Sequence, residues 1–178
     1  MILLALAVVL FLVLLNGVFA MSELAIVSAR RARLQSLADR GDRGAKIALS
    51  LAEHPTRFLS AVQVGITLIC ILAGAYGQAT IAGALDAWLE PFPVIGPHSE
   101  IIATTIVVIG LTYVSVILGE LVPKRLALIF PDSVARAMAP FLAFVATVLR
   151  PFVTLLTAST AGILKLMGDE ALGVYTAG

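Results

Sequence analysis

Three stretches of this chain stay apolar for longer than a soluble helix requires. The first runs from Met1 to about Ser28, interrupted by Glu23 near its end, and meets the basic run Arg30-Arg31-Ala32-Arg33. The second, Phe58 to Leu85, is 28 residues without a charge. The third begins after Glu100 and continues to about Val122, just ahead of Pro123-Lys124-Arg125. A helix rises about 1.5 Å per residue, so roughly 20 residues cover the ~30 Å hydrocarbon core of a bilayer. All three stretches are long enough. The pattern predicts an all-α integral membrane protein with transmembrane helices at about 1–28, 58–85 and 101–122.

Residues 29–54 have a different period. Leu34, Leu37, Ala38, Ala45, Ala48, Leu49 and Ala52 recur near helical spacing, opposite Arg33, Arg40, Arg43 and Lys46. The segment reads as a juxtamembrane amphipathic helix, divided in two by Gly41-Asp42-Arg43-Gly44. A solvated connector with a basic face accounts for the same charges. Further on, Ala137–Leu149 and Phe152–Leu164 are two apolar runs separated by Arg150-Pro151. Joined, they would form a fourth span with an Arg at its centre, at a cost of about 2.5–3.5 kcal/mol. Pro151 disfavours helix at Arg150. The expectation is therefore two helices at the inner membrane surface, about 134–149 and 152–166. Residues 168–178 read as a linker, which bounds the transmembrane domain at 1–167.

Charge gives these helices a direction. Seven of the twelve cations lie between Arg30 and Arg57, none between Phe58 and Pro123, and five from Lys124 onward. Basic loops stay on the cytoplasmic side. The N-terminus is therefore expected outside and the C-terminus in the cytoplasm, as a multi-pass protein of the cell (inner) membrane. The outer loop, Trp88 to Pro97, supplies an interfacial Trp with turn-forming Pro and Gly. Composition agrees, at 60% hydrophobic and 13% charged, against roughly 45–50% and 25% in soluble domains. A net charge of +1 offers nucleic acid no basic face. The single Cys70 reads as packing, and His54 and His98 as solvated loop residues. Met1 to Ser22 has no basic n-region, so a cleaved signal is not expected.

Polar groups in a span are costly unless paired, so each is a candidate site. The third span ends in Gly119-Glu120-Leu121-Val122-Pro123-Lys124. Pro123 has no N–H, so the Gly119 carbonyl, four residues back, loses its usual donor beside the Glu120 carboxylate. Two oxygens of this kind suit a hard cation such as Mg²⁺, Ca²⁺ or Na⁺. The same residues also fit an ordinary Glu120–Lys124 i, i+4 pair, with Pro123 stopping the helix. In the first span Asn16 and Glu23 share a face, with Ser22 beside Glu23. In the second, Thr67 lies in the cytoplasmic third, while Gly65, Gly74 and Gly77 favour close helix packing. There is no nucleophile–base set, phosphate loop or zinc spacing in the sequence. An enzyme is not expected.

Leu15-Asn16-Gly17-Val18-Phe19-Ala20-Met21-Ser22-Glu23-Leu24-Ala25, Val64-Gly65-Ile66-Thr67-Leu68 and Gly119-Glu120-Leu121-Val122-Pro123-Lys124 together resemble the CNNM/CorC family of membrane ion transporters, in order and spacing. The resemblance implies three spans plus cytoplasmic juxtamembrane and belt helices, the belt being the pair around Arg150-Pro151. It implies a homodimer in the lipid bilayer, followed in full-length members by cytoplasmic CBS-type domains. It further implies export of Mg²⁺ coupled to Na⁺ entry, from a cytoplasm-facing pocket between the spans. Carried onto this chain, Glu120 would be the charged ligand, with the Gly119 carbonyl beside it and Ser22, Thr67 and Asn16 as neutral oxygen ligands or pocket walls. Pro123, Lys124 and Glu23 would shape or gate the pocket. Ala20-Met21 stands where many relatives carry Ser-Gly, and Ile66 where they carry Asn. These departures fall on the neutral ligands and leave Glu120 untouched. The rival from another class is a membrane anchor or Mg²⁺-sensing module that transports nothing.

Overall fold

The computed structural model describes residues 2–167, and among them every regular element is helical. Helix α1 (Ile2–Ser28) is followed by a short hairpin, α2 (Arg31–Asp39) and α3 (Arg43–Glu53). Helix α4 (Pro55–Gly77) continues through a π turn (Gln78–Ala82) into α5 (Gly83–Leu89). A 3₁₀ turn (Gly96–His98) opens α6 (Ser99–Val116), which passes through a second π turn (Ile117–Leu121) into α7 (Val122–Ile129). Helices α8 (Pro131–Val148) and α9 (Arg150–Met167) follow. Three of these helical runs are long and apolar enough to cross a membrane: Ile2–Ser28, Pro55–Leu89 and Gly96–Ile129.

The third run does not stop at Val122, where the proline was expected to end it. In the π turn the Val122 N–H bonds the carbonyl of Ile117, five residues back. That wider turn takes up the register change and lets the helix continue through Pro123, which sits in the first turn of α7. At Arg150-Pro151 the chain bends by 64°, dividing α8 from α9. The described residues of this region form two helices rather than one straight rod. The expected linker, 168–178, lies outside the described residues.

The densest packing lies at one end of the spans. Phe19, Ala25 and Ile26 of α1, Leu34 and Ala38 of α2, and Ala45 and Ala48 of α3 are buried there with Phe58, Ala127, Ala135, Ala139 and Leu142. Along the spans themselves Leu3, Ile71, Ile101, Ile109 and Tyr113 stay exposed. Lipid is as apolar as leucine, so no hydrophobic force drives spans together, and close packing needs small residues. Gly65 is one such position. A Cβ there would lie 2.7 Å from the Phe19 ring, which stacks edge-on against Phe141 at 5.4 Å.

Two aspartates fasten the hairpin to α8. Asp132 accepts the Arg30 N–H at the start of α2 (2.9 Å) and pairs with Arg33 Nε at 3.5 Å. One turn later in α8, Arg136 reaches Asp42 at 3.2 Å. Asp42 is also the N-cap of α3, accepting the Ala45 N–H at 2.9 Å. The preceding Gly41 has φ +94°, a left-handed turn that suits glycine. The sequence motif that divides the hairpin thus also supplies its fastening. Asp42→Ala is expected to cost about 1 kcal/mol through the lost cap, read as a lower melting temperature of the purified protein.

At the other end of the molecule, two side-chain bonds join the second and third runs. Gln78 Nε2 donates to Thr104 Oγ1 (2.8 Å), and Ser99 Oγ donates to Asp86 Oδ1 (2.5 Å).

Candidate functional site

The polar residues of α1 and of the Ile117–Leu121 π turn meet where the two helices approach most closely. Gly17 makes the approach possible. A Cβ on it would stand 2.8 Å from both the Leu118 carbonyl oxygen and Pro123 Cγ. Across the same contact, a Cβ on Gly119 would meet Asn16 Nδ2 and the Val13 carbonyl, each at 3.2 Å. The Asn16-Gly17 and Gly119-Glu120-x-x-Pro123 segments, 103 residues apart at the Asn16–Gly119 contact, therefore form one joint.

Asn16 is buried, and its Nδ2 donates to the Gly119 carbonyl at 3.1 Å. The carbonyl expected to be free is thus already hydrogen-bonded. The Asn16 Oδ1 accepts from the Cys70 thiol of α4 at 3.7 Å. Glu120 pairs with Lys124 Nζ at 2.6 Å, and about half of its side chain is open. The carboxylate of Glu23 lies within electrostatic range of both Lys124 and Glu120, and Cys70 within range of Glu120. The structure therefore gathers Asn16, Gly119, Glu120, Pro123, Lys124 and Glu23 about one joint between the first and third spans.

Two of the expected oxygen donors stand differently. Ser22 is fully buried, and its hydroxyl donates to the Val18 carbonyl of its own helix at 2.5 Å. That back-bond is the usual fate of a lone hydroxyl in a helix. Thr67 is exposed on α4 and makes no side-chain hydrogen bond among the described residues. Cys70, read from the sequence as packing, is the α4 residue that touches the joint. Among the described residues, no three His, Cys, Asp or Glu side chains converge as a metal cage. The acidic groups here are Glu120, paired with Lys124, and Glu23, within electrostatic range of both.

The fold and this joint define an all-α, multi-pass membrane domain with a carboxylate-bearing π turn built into one of its spans. Residues 7–175 match the family described as the cyclin M transmembrane N-terminal domain, CNNM. The chain belongs to that family. It is 50% identical over 157 residues to the UPF0053 protein sll0260 of Synechocystis, covering 88% of this chain and 35% of that protein. It is 32% identical over 151 residues to the polyamine export protein of Haemophilus influenzae, covering 80% and 33%. The UPF0053 inner membrane protein YfjD of Escherichia coli is 32% identical over 154 residues, covering 86% and 33%. The chain thus spans about a third of the length of these relatives.

Proposed function

We propose that this chain is the membrane domain of a cation exporter that moves Mg²⁺ out of the cell and takes up Na⁺ in exchange. The observation that carries the reading is Glu120, a carboxylate on a π turn inside a span, set against Asn16 and within range of Glu23. π turns within helices are frequent at functional sites. A carboxylate with neutral oxygens around it suits a hard cation, and Mg²⁺ keeps much of its water shell, so it does not require a cage of carboxylates. In the proposed pocket Mg²⁺ displaces Lys124 from Glu120 and takes the Gly119 carbonyl as a second contact.

The setting follows the same reasoning. The basic hairpin lies on the cytoplasmic side, with the N-terminus outside, in the inner membrane, as the name of the Escherichia coli relative has it for that protein. The third span is the least covered of the three, which supports a homodimer in which it meets a second copy. Helices α8 and α9 form the belt at the inner surface, leading to CBS-type domains in the full-length protein.

The name of the Haemophilus influenzae relative gives a second reading, a polyamine as cargo. Two neighbouring carboxylates would hold successive ammonium groups as readily as one divalent ion. Reconstitution of the full-length protein in liposomes separates the readings. Mg²⁺ movement driven by an opposing Na⁺ gradient is the expected result. Spermidine movement without Mg²⁺ movement would overturn the cargo. Mg²⁺ binding with no movement of either would turn the reading to an anchor or sensor.

A further inference from the structure

We propose that Asn16 is a positioning residue for the ion pocket, acting by holding the π turn that carries Glu120. This rests on the reading of Glu120 as the ion's anchor. The Asn16 side chain has two ends, and the structure fixes which way each faces. The atom 3.1 Å from the Gly119 carbonyl oxygen is the NH₂ group, because an amide oxygen there would face another acceptor. The Oδ1 end is thereby turned toward α4 and the Cys70 thiol. Asn16 therefore presents a donor, not an oxygen ligand, to the residue beside Glu120.

A π turn needs such a partner. Its ladder runs five residues back, as the Val122 N–H bond to Ile117 shows, and Pro123 supplies no N–H to the carbonyls of Leu118 and Gly119, five and four residues back. A carbonyl stripped of its donor inside a span costs free energy unless another group satisfies it. The Asn16 amide does so from a different helix. Gly17, packed against Leu118 and Pro123, and Gly119, packed against Val13, allow the backbones to come close enough for that bond. The result is a Glu120 backbone fixed against α1 on one side, with its carboxylate left half open. Groups that orient a ligand in this way are typically worth about 10–100-fold in metal affinity. Mg²⁺ demands near-ideal octahedral geometry, whereas Ca²⁺ accepts a loose site. Loosening the π turn should therefore weaken Mg²⁺ binding more than Ca²⁺ binding.

Asn16→Asp tests the assignment by sign. It keeps the shape and Oδ1, replaces the NH₂ donor by a second oxygen, and adds a charge. In the full-length protein, with ion affinity read from melting curves against MgCl₂ and CaCl₂, the expected result is Mg²⁺ binding weakened about tenfold or more, with a lower Mg²⁺-to-Ca²⁺ preference. Asn16→Ala should show the same losses, and Gly74→Ala, where a Cβ meets nothing within 4 Å, should show neither. Tighter Mg²⁺ binding by Asn16→Asp would overturn the proposal and make Asn16 a ligand. A lower ion-free melting temperature in both Asn16 variants with an unchanged Mg²⁺-to-Ca²⁺ preference would also overturn it, leaving a structural role alone. If the wild type shows no Mg²⁺-dependent shift, the ion reading fails instead.

Discussion

Gly17→Val is expected to leave little folded protein. A first side-chain carbon at this position already meets the Leu118 carbonyl oxygen and Pro123 Cγ at 2.8 Å. Neither is the free end of a flexible side chain. One is main chain within the π turn and the other belongs to a ring whose φ is fixed. Relief therefore requires α1 to move away from the third run as a whole. That motion would break the Asn16–Gly119 bond and unseat Val13 from Gly119. Overpacking of this kind costs about 3 kcal/mol at the upper end of its usual range, and the bare Gly119 carbonyl adds about 1–3 kcal/mol. Gly17→Ala should show the same loss in milder form. Gly74→Ala is the matched control, since a Cβ there meets nothing within 4 Å. It should melt at or above the wild-type temperature, because alanine is the better helix former. The comparison is made on purified protein by thermal melting and by the folded fraction on size exclusion.

Glu120→Gln is expected to fold normally and to lose the ion. Its effect on stability is small because the Glu120–Lys124 pair it breaks is exposed on both sides. Its effect on the pocket is large because glutamine keeps an oxygen but not the charge. Losing one charged contact is worth about 1.5–3 kcal/mol, or roughly ten- to a hundredfold in affinity. Glu23 remains nearby, which sets a floor under the residual binding. The outcome sought is the combination: an unchanged ion-free melting temperature together with a lost response to Mg²⁺.

What was legible in the sequence was the part governed by composition and local spacing. The spans announce themselves because hydrocarbon tolerates no charge over about 20 residues, and Phe58–Leu85 carries none. The hairpin break was legible because Gly41-Asp42 is a turn and a cap at once. At the candidate site, Gly119-Glu120-x-x-Pro123 stood out because a proline must disturb the helix around it. How the helix absorbs the disturbance was not legible. The π turn depends on what packs beside it, so the third run continues to Ile129 rather than ending at Val122. The Gln78–Ala82 π turn has no proline to mark it at all.

The partners of polar side chains were equally hidden. Asn16 and Ser22 are both small polar residues on α1, yet one reaches a different helix and the other bonds its own. The choice depends on which neighbour comes within 3 Å. The cations held by Asp132 and Asp42 were not legible either, because they lie about a hundred residues away in the chain. Cys70 gave no sign of its contact with Asn16 for the same reason.

The central claim is that Glu120 anchors a bound cation, and the most direct test is the melting temperature of the full-length protein against MgCl₂, for wild type and Glu120→Gln. A ligand that binds only the folded state adds about 2.7 kcal/mol at a hundred times its Kd, which a melting curve resolves. The account predicts that the wild type rises with Mg²⁺ while Glu120→Gln rises far less over the same range. An equal rise in both proteins would contradict it, because the ion would then be held somewhere other than the π turn.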